Sequence, residues 1–287
     1  LGGFATTYVA LILVSEHFGM GKDFIAGFKQ LMVDSPKHFN LIVDKPTADS
    51  TQEEVNKYLM LPGIGMYLAG IWIVNLNYWG CNQYITQRAL GADLKTARTG
   101  ILFAGFLKLL MPIIVMLPGI AAYVLYKNGA LQEEMAPGGN FQADNAYSAI
   151  LGFLPNGMKG LSLAALTAAI VASLAGKANS IATIFTMDIY NKYINKEASE
   201  TRLINVGKIT IIVSIIISVF FTWDDLLGIG GAGGFTFIQK YTGFISPGVF
   251  AMFLLGMFWK RTTGTAAIVG LITGFLLSIV FNNFAPA

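Results

Sequence analysis

The chain has 287 residues, of which 54% are hydrophobic and only 12% charged, and its formal net charge is +3. A soluble domain carries about 25% charged residues, so this composition excludes a soluble enzyme, a disordered chain and a disulfide scaffold, and it points to a polytopic membrane protein. The mild net charge gives no reason to expect a nucleic-acid partner, and the lone Cys81 cannot form an intrachain disulfide.

In chain order, residues 1–14 are apolar but shorter than the roughly 20 residues a spanning helix needs. They read as the tail of a span cut by the N-terminus. A polar stretch follows over 15–61; it holds His17 and His38, neither with a second ligand nearby, so no metal site is expected there. Full-length spans are predicted near 63–83, 98–126, 158–187, 203–222, 235–258 and 264–282. Trp72, Trp79, Trp223 and Trp259 fall inside spans or at their ends, and the ends are where amphipathic rings settle. Every other connection is short and basic: Arg88, Lys95 and Arg98; then Lys192, Lys196, Arg202 and Lys208; then Lys260 and Arg261. The positive-inside rule puts that set in the cytoplasm and the stretch 15–61 outside. Two stretches interrupt the helical pattern, GIGGAGGF at 228–235 and YTGFISPG at 241–248. Such breaks survive in membranes only where they are buried or line a cavity, and they mark sites built on discontinuous helices; a proline kink with a packing role is the plainer alternative.

Polar residues inside spans are costly and are functional candidates. Asn75 and Tyr78 are three apart and share a helix face; Gln83 follows at the end of the same span. An amide beside an aromatic ring suits a sugar, the amide bonding hydroxyls and the ring covering an apolar face. An interhelical amide bond worth about 0.6–2 kcal/mol serves equally well on spacing alone. Lys108 lies about ten residues into its span, at a cost of about 2.5–3.5 kcal/mol unless it snorkels to the cytoplasmic side. Ala169, Ser173 and Lys177 recur every four residues on roughly one face, in a helix rich in small residues that favour close packing. Gln239 lies one turn after Phe235 at the start of the fifth span.

The motifs NLNYWGCNQYITQRAL, FAGFLKLLMPIIVMLPGIAAY, IVASLAGKANSIATIFTMDIY and FIQKYTGFISPG resemble those of the solute:sodium symporter family, and most of all its sodium/glucose cotransporter branch. The four occur in the expected order over essentially the whole chain. The resemblance implies an all-α polytopic protein of the LeuT-type inverted-repeat fold. In it, residues 1–14 are the end of core helix 5, and the six spans are core helices 6 to 10 plus one peripheral helix. The chain, 1–287, is then a single transmembrane transporter domain that lacks the first repeat, in a multi-pass protein of the inner (plasma) membrane, with membrane lipid as its surroundings.

The site residues follow from the same resemblance. Asn75, Lys108 and Gln239 match residues that bond sugar hydroxyls. Tyr78 matches the tyrosine that stacks on the sugar ring and closes the site inward, and Phe235 an aromatic of the outer gate. For sodium, Ala169 matches a backbone carbonyl donor and Ser173 the second of two adjacent hydroxyls; the first is Ala172 here, a departure that weakens or moves the site. Lys177 and Lys240 are further departures, standing where an apolar and an acidic residue are expected. The function implied is sodium-coupled symport of a galactose- or glucose-like sugar by alternating access, with sodium as the coupling ion and no chemistry on the substrate. The alternatives are the same fold carrying an inositol, a nucleoside or an organic anion, or a sugar sensor or channel that has lost sodium coupling.

Overall fold

A computed structural model of the chain describes residues 2–40, 42–52, 54–55, 58, 64, 66–223 and 234–284, with backbone alone at 66, 69, 234–237, 239, 240, 282 and 283. Among the described residues the regular structure is entirely helical. In chain order the helices are α1 (Gly2–His17), α2 (Phe24–Asp34), α3 (Ile71–Leu76), α4 (Gln83–Leu90), α5 (Leu94–Lys108), α6 (Met111–Lys127), α7 (Gln132–Met135), α8 (Ala146–Gly152), α9 (Asn156–Thr183), α10 (Glu200–Thr222), α11 (Gly234–Phe258) and α12 (Gly264–Phe284). Three π-helical segments join them: Met66–Gly70 and Asn77–Cys81 flank α3, and Ile184–Ile194 continues α9.

Five segments among the described residues are long and apolar enough to cross a membrane: Leu94–Lys127, Asn156–Ile194, Glu200–Thr222, Tyr241–Phe258 and Gly264–Phe281. They match the last five predicted spans. The first, 63–83, is described as helix without interruption only over 66–81, partly α and partly π. The chain divides into two compact units, residues 1–40 with 93–217 and residues 41–92 with 218–287.

In the first unit, α1 packs on α2, α6 and α9. The apolar residues Ala10, Leu11 and Val14 of α1 meet Leu31 of α2, Ile120, Ala121, Ala122, Val124 and Leu125 of α6, Met135 and Ile150 in one buried cluster. The short apolar piece at the start is thus a formed helix of 16 residues, and the polar stretch after it adds to the core. Asp23 starts α2 by accepting from the Ile25 and Ala26 amides at 2.8 and 3.3 Å, which satisfies two of the four donors a helix start leaves free. Leu31, 0% exposed, then contributes roughly 1.5–3 kcal/mol by burial. Two close approaches hold α1 in place. Thr7 donates to the Ile113 carbonyl of α6 at 2.9 Å, and Gly27 of α2 lies so near α1 that a Cβ there would run into the Leu11 carbonyl.

The span Leu94–Lys127 is broken at 109–110, where the Leu109 and Leu110 amides bond three residues back, to Phe106 and Leu107 at 3.0 and 3.1 Å. The cause is Pro112. It has no N–H, so the Lys108 carbonyl four residues earlier receives no helical bond from it. At the other end of α5, Asp93 caps the helix by accepting from the Thr96 amide at 3.1 Å. Its hydrogen bonds to Thr96, side chain first and then backbone, hold the exposed carboxyl below the usual range. This contribution to helix stability is present above the ordinary carboxylate pKa and is lost as pH falls through the lowered one.

In the second unit, α3 and the π segment after it pack on α11, and α11 packs on α12. The last contact is a meeting of glycines: a Cβ on Gly274 would stand 3.2 Å from the Gly248 Cα, the close backbone approach that small residues permit between membrane helices. The break predicted at 241–248 is not found, because α11 is helical through Gly234–Phe258 with Pro247 inside it. Pro247 withholds one donor, yet α11 continues past it, as α6 continues past Pro118. Of the other predicted break, 228–235, residues 228–233 lie outside the described residues.

Candidate substrate and ion site

Asn75 and Tyr78 sit where an α turn passes into a π turn. Asn75 is the fifth residue of α3, and Tyr78 the second of the π segment Asn77–Cys81. π turns bond i to i+5 and recur at functional sites. The wider turn opens the angle between the two side chains beyond that of a regular α face. Asn75 spends one N–H on its own helix, donating to the Ile71 carbonyl at 2.9 Å. Its Oδ1 and second N–H remain to bond a ligand, and the residue is exposed. Tyr78 is half-buried, with its ring edge-on to Trp79 at a centroid distance of 5.8 Å. Between them Asn77 carries a buried Oδ1 with no hydrogen-bond partner. Asn77 is not among the residues expected from the sequence to bind substrate, although an amide in an apolar span is a signal for one.

Gln239 and Phe235 lie on α11, the helix against which α3 and its π segment pack. The second unit therefore brings together the two helices that bear Asn75, Tyr78 and Gln239. The side chains of Phe235, Gln239 and Lys240 lie outside the described residues.

Lys108 belongs to the first unit and is the last residue of α5, directly before the break. This is a better place for an ammonium than the middle of an unbroken span. A helix C-terminus is the negative end of the macrodipole and carries unbonded carbonyls. The pairing of a lysine with a proline four residues later was legible in FLKLLMP.

Ala169, Ala172, Ser173 and Lys177 all lie on α9, which is regular α-helix over this stretch. Ser173 is half-buried and the other three are exposed. The Ala169 carbonyl and Ser173 are one turn apart, about 6 Å along the axis at 1.5 Å per residue, and Lys177 is one turn further. A carbonyl and a hydroxyl are hard neutral oxygens of the kind a sodium ion takes. No cluster of three or more His, Cys, Asp or Glu side chains that could hold a metal occurs among the described residues.

Five helical segments long and apolar enough to cross a membrane, among the described residues, make this a multi-pass helical membrane protein. Comparison with known proteins makes the class specific: the model of the sodium:solute symporter family matches residues 4–274. The chain belongs to that family. It is 44% identical, over its whole length, to a sodium/glucose cotransporter of Vibrio parahaemolyticus, of which it covers 51%. It is also 34% identical to the human sodium/myo-inositol cotransporter 2, across 76% of this chain and 33% of that protein. A third relative is the sheep sodium/glucose cotransporter 1, 33% identical across 82% of this chain and 36% of the relative. The chain thus spans about half the length of the Vibrio relative and about a third of the human and sheep ones. Family membership places it among transporters and not enzymes.

Proposed function

We propose that the protein of which this chain is part carries a galactose- or glucose-like sugar across the inner (plasma) membrane, coupled to sodium, by alternating access. The observation that supports a sugar best is the Asn75–Tyr78 pair on a helix packed against the helix of Gln239. An amide with free bonding capacity, a tyrosine face and a second amide provide what a pyranose needs, donors and acceptors at its edge and an apolar cover on its ring. Phe235 closes the outer side and Tyr78 the inner side. The chain acts as one transporter domain in this reading, and its other ligands come from the rest of the protein. The Vibrio and sheep relatives are named for glucose and the human one for myo-inositol. An inositol is therefore the second reading; it presents the same ring of hydroxyls. Competition between glucose, galactose and myo-inositol for uptake of labelled galactose by the full-length transporter separates the two.

Sodium is held, in this proposal, by the Ala169 carbonyl and Ser173 on α9 together with ligands from outside this chain. Sodium biases transport only by binding one conformation better than the other. Ala172 removes one hydroxyl from the set, so apparent sodium affinity is low, and Ala172→Ser is expected to raise it about threefold to tenfold, the worth of one added hydrogen-bond-strength contact. Lys177, exposed one turn beyond Ser173, keeps its ammonium in cytoplasmic water. Uptake measured against sodium concentration tests this in wild type, Ala172→Ser and Lys177→Met. Sodium-independent uptake in the wild type that turns sodium-dependent in Lys177→Met would mean that the lysine replaces the ion.

A further inference from the structure

The π segment Asn77–Cys81 is irregular at both ends. Where it begins, the Asn77 amide is shared between the Ile73 and Val74 carbonyls. Where it ends, Asn82 is extended, at φ −90° and ψ 119°, and its Oδ1 restarts the helix by accepting from the Tyr84 amide at 3.0 Å. Between the two, a Cβ on Gly80 would have no atom within 4 Å. Helices kink at interruptions of this kind.

Asn77 fits its place in this segment badly. Its Oδ1 is sealed from solvent and accepts no hydrogen bond. The amides on either side are used: Asn75 donates to the Ile71 carbonyl at 2.9 Å, and Asn82 caps α4. The seal is made by this chain's own atoms, in a segment that packs on α11. Neither water nor a part of the protein outside this chain reaches the oxygen unless the segment moves. A buried acceptor left in this way disfavours the packing that buries it by about fivefold to 150-fold. A contact that served packing alone would be made by an apolar side chain, which carries no such penalty.

We infer that Asn77 is a positioning residue: its unpaired oxygen holds the packing of 77–81 on α11 near balance, so that the segment can lift from α11 and carry Tyr78 with it. This rests on alternating access as proposed above, in which the helix of Tyr78 and the helix of Gln239 change their relation in each cycle. Once the segment lifts, the oxygen is hydrated and the penalty ends. The packed state is thereby weakened relative to the lifted one, and a leucine in the same space would hold the segment down.

The test uses the purified full-length transporter and needs no solute, so it stands whatever the substrate is; uptake assays test the transport reading separately. Cys81, half-buried at the end of the segment, reports lifting by its rate of reaction with N-ethylmaleimide, and a Cys81→Ala protein gives the reaction elsewhere to be subtracted. Asn77→Leu is expected to slow Cys81 labelling about fivefold or more and to melt no lower than wild type. Asn77→Asp keeps an acceptor in the same place and should label at least as fast as wild type. Unchanged labelling in Asn77→Leu overturns the inference, as does a wild-type Cys81 that never reacts. Equal slowing in Asn77→Leu and Asn77→Asp overturns it too, because polarity would then not matter. A thermal midpoint several degrees lower in Asn77→Leu, or failure of that variant to fold, would mean that the amide is satisfied in the folded protein and is a structural contact.

Discussion

Tyr78→Ala is expected to remove nearly all sugar uptake by the full-length transporter, while Tyr78→Phe keeps a substantial part. The two variants separate the ring from its hydroxyl. Losing the ring forfeits burial of an aromatic side chain, about 1.5–3 kcal/mol, and its face-specific contact, about 0.5–1.5 kcal/mol more. Together these correspond to a loss of at least about 30-fold. Losing the hydroxyl alone forfeits one neutral hydrogen bond, about 0.5–1.5 kcal/mol, or about threefold to tenfold. Trp79 supports the ring edge-on at 5.8 Å, a contact that phenylalanine preserves. Initial uptake rates in proteoliposomes under an imposed sodium gradient give the ratio, with melting curves to confirm that both variants are folded. Equal losses in the two variants would show that stacking is not what Tyr78 contributes.

A second large effect is expected far from the sugar, at Gly27. A methyl group there would meet the carbonyl of Leu11. Backbone cannot rotate out of the way as a flexible side chain can. Either α2 moves off α1 or α2 does not dock, and Leu31 then leaves the buried cluster it shares with Leu11 and Val14. Overpacking of this kind costs about 1–3 kcal/mol. Gly27→Ala should therefore lower the thermal midpoint of the purified protein by several degrees. Gly157→Ala, at a glycine with open space around its Cβ direction, serves as the control and should change it little. A Gly27→Ala protein as stable as wild type would mean that α2 is not held against α1 as described.

The spans were legible in the sequence because an apolar run of 20 residues has few other uses. The position of Lys108 at a helix end was legible too, in the proline four residues after it, although composition alone placed it only partway along a span. The break predicted at 241–248 was misread. Glycine, serine and proline together permit an interruption without requiring one, and α11 runs through them. The wide turns at Asn77–Cys81 and Ile184–Ile194 could not be read at all. An α and a π turn are built from the same residues and differ only in which carbonyl each amide reaches.

The π turn at Asn77–Cys81 bears on how this region can vary in length. A π turn holds one residue more than the α turn it replaces. Removing a single residue there, even the uncrowded Gly80, would let the backbone close as ordinary α-helix. The parts before and after the deletion would keep their relative orientation, because the π turn had already absorbed the extra residue; the same deletion inside regular α-helix would turn one side against the other by about 100°, one residue's share of a turn. Asn75 would therefore keep its place on the helix that packs against α11. Loss of one residue should thus be tolerated within 77–81 and not in the regular turns of α3 before it, and single-residue length differences among related proteins should fall at that π turn or in the connections.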